Sequence, residues 1–280
     1  MIDLHTHTTE SDGTYSPAEL VAAASQAGLE ALAITDHDTF AGYELAVAPA
    51  QRQGVRLFRG IEISTALGNP KTRTVHLLGY FFQKEPAEEF CAWLARMQAA
   101  RNDRNVRLAE KLQSMGLDIH IEEVRALGRS LAGRPHFAKL LMMKGYCSSI
   151  QEAFTRFLGD AAPGFVEREE PPLEEAILRV NEAGGITSLA HPIRLGKRDP
   201  ADEERLIAGM RDAGLQAIEV YHSDHSEADR TRYLGISAKY GLKVTGGSDF
   251  HGDNKPNIRL GTGSGNNLNI SKSVLEPLLG

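Results

Sequence analysis

Histidine and carboxylate residues recur at the ends of short β-branched segments of this chain, and this pattern constrains the fold more than any other feature. The motifs are Asp3-Leu4-His5-Thr6-His7, Ser11-Asp12-Gly13, Thr35-Asp36-His37-Asp38, Gly60-Ile61-Glu62, Ala190-His191-Pro192 and Ser248-Asp249-Phe250-His251, with His76 and His222 on two further segments. In an α/β barrel the carboxyl ends of the strands meet at one mouth. The pattern therefore predicts a site for several metal ions at the mouth of a barrel-like fold.

Apolar segments alternate with helical patterns over most of the chain. Seven strands are predicted, at residues 2–4, 31–34, 55–63, 74–80, 185–190, 217–221 and 242–246. One helix is predicted to start at Ser16, which would form a capping box with Glu19, and others near residues 43–53, 199–213 and 226–240. Such alternation, with strands buried on both faces, is typical of a parallel sheet or barrel. We therefore expect an α/β protein of this type.

A long helical stretch interrupts this alternation. It divides the chain into a barrel at residues 1–85 and 171–280 and an inserted helical domain, a lid or substrate domain, at residues 86–170. Two of the inserted helices are predicted at residues 135–144 and 149–158.

The first inserted helix has an apolar stripe that is broken in its middle by Arg101, Arg104 and Asn105. In one interpretation, this face bends towards solvent or pairs with an acidic neighbour. In the other, it roofs a cavity and presents arginine to an anion.

The overall charge excludes some partners. The 280 residues carry a formal net charge of −6, the sequence pI is near 5.9, and there is no basic stripe. We therefore expect no duplex nucleic acid as a partner, and phosphate binding requires a local site or bound metal. Only two cysteines, no secretion signal and no long apolar run predict a cytoplasmic protein that does not bind membranes.

The residue types at the strand ends favour particular metals. His5 and His7 are two apart on an extended segment and point to the same side, and Asp249 and His251 repeat this spacing. Imidazole and carboxylate ligands without thiolate favour Zn²⁺, Mn²⁺ or Fe²⁺.

Other polar residues have a structural interpretation. His120 is expected to be structural, and His225 to be a helix cap or a surface residue. Asp36 or Asp38 could orient a ligand or carry a proton, although capping of the following helix is the favoured role for Asp38. Residues 261–265 resemble a phosphate loop only superficially and are expected to form a flexible tail segment.

Taken together, the motifs resemble those of the PHP (polymerase and histidinol phosphatase) family over residues 1–85 and 171–255. The inserted helices, with the element Gly133-Arg134-Pro135-His136, resemble the PHP subgroup that acts on nucleoside 3′,5′-bisphosphates and on the 5′ ends of short RNA. The resemblance implies an α/β fold with a distorted seven-stranded barrel and a helical insertion. It also implies up to three divalent metal ions per chain, with Mn²⁺ expected first and Zn²⁺ or Fe²⁺ as alternatives.

The same resemblance assigns nine metal-ligand positions. The ligands would be His5, His7, Glu62 and Asp249 for one ion, Glu62, His76 and His191 for a second, and Asp12, His37 and His251 for a third. The catalytic residues would be Asp12, His37, Glu62 and His191. His191 could instead be a general acid, with His136 completing the second site.

Bound ions would make the cleft positive, since three divalent cations outweigh the three carboxylates. A substrate with several anionic oxygens would match this charge, and the ions would activate water for attack on phosphorus. The substrate-binding candidates are Arg134, His136, Arg101, Arg104 and His222. Further candidates are Arg194, Lys197 and Arg198 for phosphate, and Tyr221, His222 and Phe250 for a base or ribose.

We therefore expect a metal-dependent phosphomonoesterase that acts on a small nucleotide. The resemblance implies removal of the 3′-phosphate from a nucleoside 3′,5′-bisphosphate. Two alternatives stay open: a 5′→3′ exoribonuclease acting on short single-stranded RNA, and a histidinol-phosphate phosphatase, against which the helical insertion argues. A non-enzymatic binding module is disfavoured because every ligand position holds a competent residue.

Overall fold

The computed structural model describes residues 1–68, 73–196 and 199–280. A seven-stranded sheet with its strands in sequence order forms the centre of the molecule. The strands are β1 (Ile2–Asp3), β2 (Ala31–Ile34), β3 (Arg56–Leu67), β4 (Arg73–Phe81), β5 (Ile186–Leu189), β6 (Ala217–His222) and β7 (Lys243–Gly247). A parallel bridge between Thr6 and Phe250, just beyond β1 and β7, nearly closes the sheet. The predicted seven-stranded α/β barrel is confirmed.

Ten helices surround and extend this barrel in the described part of the chain. They are α1 (Pro17–Gln26), α2 (Ala41–Gln53), α3 (Glu88–Ser114), α4 (Ile121–Gly128), α5 (Arg134–Met143), α6 (Ile150–Ala153), α7 (Leu173–Glu182), α8 (Pro200–Asp212), α9 (Glu227–Tyr240) and α10 (Glu276–Leu279). The predicted capping box at α1 is present, because Ser16 and Glu19 bond reciprocally. None of the described helices is long and apolar enough to span a bilayer.

The strands are not all parallel, contrary to the expectation from the sequence. β4 runs antiparallel to both β3 and β5, whereas the other neighbouring pairs are parallel. The cause is the short connection between β3 and β4, residues 68–72, since a parallel pair needs a crossover of about a dozen residues or more.

The described residues form four hydrophobic clusters, and α3 contributes to two of them. Near its start, Phe90, Trp93 and Leu94 pack into the core between the sheet and its helices. Near its end, Leu108 and Leu112 pack into a second core whose buried members all lie between residues 108 and 158. The helix therefore links the barrel rigidly to the group of smaller helices.

The C-terminal segment is more ordered than the sequence suggested. Residues 261–265, expected to be a flexible tail, include part of a two-stranded hairpin formed by β8 (Ile258–Arg259) and β9 (Gly263–Ser264). Leu260 and Leu268 are buried beside it. The expectation was wrong because the apolar residues around these glycines pack against the barrel.

Candidate metal centre and phosphate cavity

The ends of β1, β3 and β7 bring four buried ligand groups together. In His5 and His7, Nε2 lies 3.2 and 3.1 Å from Glu62 Oε2. The same nitrogens lie 3.6 and 3.5 Å from Asp249 Oδ1. These four ligand atoms lie within 4.8 Å of one another, close enough for one ion to contact all of them.

Glu62 also faces a second group of histidines. Its Oε1 lies 2.8 Å from both His76 Nδ1 and His191 Nε2. Its Oε2 lies 3.4 Å from His37 Nδ1. The carboxylate is therefore placed to bridge two ions, as the family resemblance implied.

A third group forms around Asp12. Its Oδ1 lies 3.3 Å from His251 Nε2, and its Oδ2 lies 3.7 Å from His37 Nε2. His7 Nδ1 is 3.6 Å from the same carboxylate. All nine residues that the resemblance assigned to metal thus lie in one cluster at the barrel mouth.

The hydrogen bonding of the cluster fits bound metal. His5 Nε2, His7 Nε2 and His37 Nδ1 are buried, and none has a hydrogen-bond partner among the described residues. Burial lowers the pKa of His37 to about 3, so its ring is neutral at pH 7, whereas Asp249 and Glu62 outweigh burial and raise the pKa of His7 to about 9. Buried polar atoms without partners are costly, and divalent ions would satisfy them.

The backbone around the cluster is shaped to expose these side chains. His191 and Asp249 have positive φ values of 28° and 58°, which non-glycine residues rarely adopt. At Gly247, a Cβ atom would lie 2.3 Å from the backbone nitrogen of His5. Only glycine therefore allows β7 to approach β1 closely enough to place Asp249 beside His5 and His7.

Buried carboxylates beneath the cluster hold its loops in place. Asp36 accepts hydrogen bonds from the Thr8 backbone N–H at 2.7 Å and from the Ser11 hydroxyl at 2.6 Å. These bonds fix the turn that carries Asp12. Of the two carboxylates considered from the sequence, Asp36 is thus the one that orients a ligand-bearing loop.

A cavity of about 220 Å³ opens above the metal ligands. Asp12, His37 and His76 line this cavity. The arginine wall, defined as Arg101, Arg104, Arg134 and Arg168, lines the same cavity, together with His136 and Glu170. Both interpretations of the polar break in α3 hold in part, because Arg101 pairs with the acidic neighbour Asp38 and α3 also presents Arg101 and Arg104 to a cavity.

Two of these arginines are held by Asp38. Its carboxylate accepts a hydrogen bond from Arg168 Nη1 at 2.9 Å and one from Arg101 Nη2. Burial alone would raise the pKa of Asp38, but the two guanidinium groups outweigh burial and keep that pKa below its usual value. The expected capping role was wrong, because α2 begins after Phe40 without a side-chain cap.

Arg104 and Arg134 differ in their surroundings. Arg104 is buried, yet its guanidinium donates no hydrogen bond to any residue in the described ranges. Burial and the nearby Arg101 lower the pKa of Arg104 to about 9, so it is still charged at pH 7. Arg134 is half-buried and pairs with Asp160 at 2.7 Å.

His136 presents a hydrogen-bond donor to the cavity. Its Nδ1 accepts a hydrogen bond from the Gly133 backbone N–H at 3.0 Å, so the ring proton lies on Nε2. Burial lowers the pKa of His136, which keeps the ring neutral. Neither His136 nor His191 belongs to the groups whose ligand atoms all lie within 4.8 Å of one another, but His191 Nε2 contacts Glu62 directly.

Several sequence candidates lie elsewhere. His222 is fully buried, with Nε2 3.3 Å from Asp249 Oδ2, and does not line the cavity. Phe250 packs in a core beside Tyr15. His225 is neither a cap nor a surface residue, because it is buried with Nδ1 bonded to the Val220 carbonyl.

The remaining phosphate candidates have other partners or cannot be placed. Arg194 pairs with Asp224 and with Asp249 Oδ2, the latter at 3.0 Å, and lines a smaller cavity beside His191. Lys197 and Arg198 lie outside the described residues.

Sequence reasoning missed Arg168, Lys255 and Glu219. Lys255 Nζ lies 2.6 Å from Asp249 Oδ2, and Glu219 Oε1 lies 2.9 Å from His5 Nδ1. Arg168 and Lys255 stand in irregular segments and give no recognisable pattern. Glu219 did give a signal, since it is a lone charge within the apolar strand Ala217–His222.

A family model matches residues 3–158 with the description PHP domain. The chain belongs to the PHP domain family. This PHP chain is 33% identical to a metal-dependent phosphoesterase structure from Bifidobacterium adolescentis, with a TM-score of 0.86 over 99% of this chain and 95% of that one.

Two curated relatives cover most of the PHP chain. It is 34% identical to a 5′-3′ exoribonuclease of Haemophilus influenzae, over 89% of each chain. It is 32% identical to a 3′,5′-nucleoside bisphosphate phosphatase of Chromobacterium violaceum, over 89% of this chain and 87% of the relative. The PHP chain is therefore a metal-dependent phosphoesterase, and its relatives differ in substrate.

Proposed function

We propose that this protein removes the 3′-phosphate from nucleoside 3′,5′-bisphosphates. The observation that carries the proposal is a single cavity that is lined both by metal ligands and by four arginines. A substrate with two phosphates matches this lining, one phosphate meeting the metal ligands and the other the guanidinium groups. The bisphosphate phosphatase among the relatives supports the same substrate class.

The metal centre holds the phosphate that is cleaved. In this proposal the nine ligands bind up to three divalent ions, of which Mn²⁺ is the first choice. Such ions supply Lewis acidity, which lowers the pKa of water and neutralises charge on phosphoryl oxygens. Asp12, His37, Glu62 and His191 are the residues nearest the reacting phosphate, and Glu62 fixes the spacing of the ligand groups.

The arginine wall holds the phosphate that is retained. The buried Nε of Arg104 has no hydrogen-bond partner among the described residues and is available to an anion, although the nearby carboxylate of Glu170 also acts on the charge of Arg104. Arg134 reaches the same space, and the Nε2–H of His136 adds a neutral donor. Arg101 and Arg168, tied to Asp38, contribute positive charge, and the buried Nε of Arg101 is a further donor without a partner among the described residues. Residues 86–170 act as a substrate domain over the barrel formed by residues 1–85 and 171–280.

A 5′→3′ exoribonuclease is the second candidate, and one observation favours it. A further cavity of about 190 Å³ shares Thr74, His76 and Arg134 with the first and continues towards Arg194. This space could receive the RNA chain beyond the cleaved bond. Histidinol phosphate fits less well, because its ammonium group would face the arginine wall.

The test compares matched substrates with Mn²⁺-loaded protein. Adenosine 3′,5′-bisphosphate is expected to release orthophosphate and leave adenosine 5′-monophosphate, as measured by phosphate assay and chromatography. Adenosine 3′-monophosphate, which lacks the second phosphate, should be a much poorer substrate. The Asp12→Ala variant is the control and should lose turnover.

Other outcomes would reject the proposal. Shortening of 5′-phosphorylated oligoribonucleotides without orthophosphate release from the bisphosphate would establish the exoribonuclease activity instead. Full activity of the Asp12→Ala variant would remove Asp12 from the reaction.

A further inference from the structure

Glu219 is a buried carboxylate with no role in the nine-ligand set. It lies in the middle of β6, is 0% exposed, and is flanked by Ile218 and Val220, which pack in the main core. A charge in such a place is expensive unless several donors compensate it. The hydrogen-bond donors around Glu219 should therefore indicate its role.

A β-bulge in β6 turns two polar residues to the same side. Glu219 pairs with Thr245 and His222 pairs with Gly247, so the four residues 219–222 of β6 lie opposite the three residues 245–247 of β7. Residues two apart in a strand face the same way, and the bulge therefore places both Glu219 and His222 towards the metal ligands. Without it, His222 would point into the apolar core with Ile218 and Val220.

The two oxygens of Glu219 contact two different ligand residues. Oε1 lies 2.9 Å from Nδ1 of His5, whose Nε2 faces Glu62 and Asp249. Oε2 accepts the backbone N–H of His191 at 2.7 Å. His191 is the residue with the positive φ of 28°, so this bond holds a strained turn at a ligand position.

We propose that Glu219 is a positioning residue that fixes His5 as an Nε2 ligand and holds the backbone turn of His191. A single carboxylate thereby sets ligands of two different ions. The inference rests on the metal centre of the proposed function and not on its substrate.

Only a carboxylate satisfies both contacts. When Nε2 of His5 binds metal, its Nδ1 carries the proton and donates, and the His191 N–H donates as well. Both partners are therefore donors, and Glu219 offers one acceptor oxygen to each. In a Glu219→Gln variant, the amide NH₂ would face one of these donors, so either the His5 ring or the His191 turn loses its support.

The test measures metal binding by the full-length Glu219→Gln variant. Mn²⁺ dissociation constants come from isothermal titration, and the ions retained after dialysis are counted by mass spectrometry. Loss of a carboxylate that supports a ligand typically weakens metal binding about 10- to 100-fold. We therefore expect the Mn²⁺ dissociation constant of the variant to rise by about that factor and the variant to retain fewer ions after dialysis. Glu203→Gln is the matched control, because Glu203 is also a buried carboxylate and contacts Tyr233 and Arg232. The Glu203→Gln protein should bind Mn²⁺ as tightly as the wild type.

A measurement on the wild-type protein covers the case in which the variant does not fold. In the Zn²⁺-loaded protein, ¹⁵N NMR of the histidine rings should show His5 protonated at Nδ1. Metal on Nδ1 of His5, or wild-type Mn²⁺ affinity and stoichiometry in a folded Glu219→Gln variant, would overturn the inference. Normal metal binding without nucleotide hydrolysis by the wild type would instead reject the proposed substrate alone.

Discussion

At the scale of single residues, the four arginines of the cavity differ in whether a carboxylate of the protein already pairs with them. Arg101 and Arg168 share Asp38, and Arg134 has Asp160, whereas Arg104 has no hydrogen-bonded partner in the described ranges. A buried guanidinium without a partner lowers stability unless a ligand satisfies it. Arg104 is therefore the best placed of the four to distinguish substrates with a second phosphate.

Arg104→Met should lower kcat/KM for adenosine 3′,5′-bisphosphate by about 10- to 100-fold. The lost contact is a charge-assisted hydrogen bond worth about 1.5–3 kcal/mol, and methionine fills similar volume without the charge. Steady-state kinetics with adenosine 3′-monophosphate as a second substrate should show little change, because that molecule lacks the phosphate bound by Arg104.

Arg107→Met is the matched control, since Arg107 is exposed one turn along α3. It should leave both substrates unaffected. An equal loss for both substrates in Arg104→Met would show that Arg104 acts on the fold or the metal site and not on the second phosphate.

The ligand residues could be anticipated from the sequence because each follows a recognisable strand or, for Glu62 and His76, lies within one. The geometry of the alternating side chains then brings His5 and His7 to one side. The role of Asp38 could not be anticipated, since its partners Arg101 and Arg168 lie 63 and 130 residues away and become neighbours only on folding. A local rule for helix caps gave the wrong answer there.

At the scale of elements, Asp38 joins parts of the molecule that are distant in sequence. It accepts the Ser64 backbone N–H at 2.9 Å at the end of β3 and holds Arg101 of α3 and Arg168. Its backbone carbonyl also accepts a hydrogen bond from Gln98 at 2.8 Å. These bonds attach α3 to the barrel mouth and fix the position of Arg101 and Arg168 relative to the metal ligands.

Asp38→Asn should lower the free energy of unfolding by about 3–5 kcal/mol at pH 7, since it leaves two buried guanidinium groups without their anion. Urea denaturation followed by circular dichroism measures the change. The exposed Asp212→Asn variant should change stability by less than about 0.5 kcal/mol.

The stability difference between wild type and Asp38→Asn should depend on pH in one direction. The pKa of Asp38 is lower in the folded state than in the unfolded chain, where it is about 3.9. The stabilisation is therefore complete above about pH 4 and is lost as the pH falls below that value. The stability difference between wild type and Asp38→Asn should be equal at pH 7 and pH 5 and smaller below pH 4. A stability difference that already decreased from pH 7 to pH 5 would contradict the assignment.

The strands were located well by their patterns, but the direction of β4 was not. Its alternation in the sequence resembles that of the parallel strands, and only the five-residue connection from β3 carries information on direction. The bulge in β6 has no recognisable sequence pattern either. The orientation of Glu219 towards the metal ligands therefore became clear only from the pairing of β6 with β7.

At the scale of the whole molecule, the metal centre joins opposite edges of the sheet. Its ligands follow β1, β2, β5 and β7 or lie within β3 and β4, so bound ions would connect strands that are far apart in the chain. Ions that bind only the folded state stabilise it by mass action.

Removal of metal with EDTA should lower Tm, and added Mn²⁺ should restore it. At a free Mn²⁺ concentration of about 100 times Kd the gain is about 2.7 kcal/mol, which corresponds to a shift of about 5–10 °C for a protein of this size. Differential scanning calorimetry measures the shift. Glu62→Gln removes the central ligand and should abolish most of it, and an unchanged Tm with and without Mn²⁺ would contradict the ligand assignment.

The 27-residue length of α3 has a mechanical consequence. At about 1.5 Å per residue, it is a lever about 40 Å long, with Phe90 and Trp93 anchored at one end and Leu112 near the other. A small rotation at the anchored end displaces each residue in proportion to its distance from that end, so the far end moves most. Arg104, near the middle, moves less than the far end, and the distal rim therefore has more freedom to adjust than the arginines beside the metal ligands.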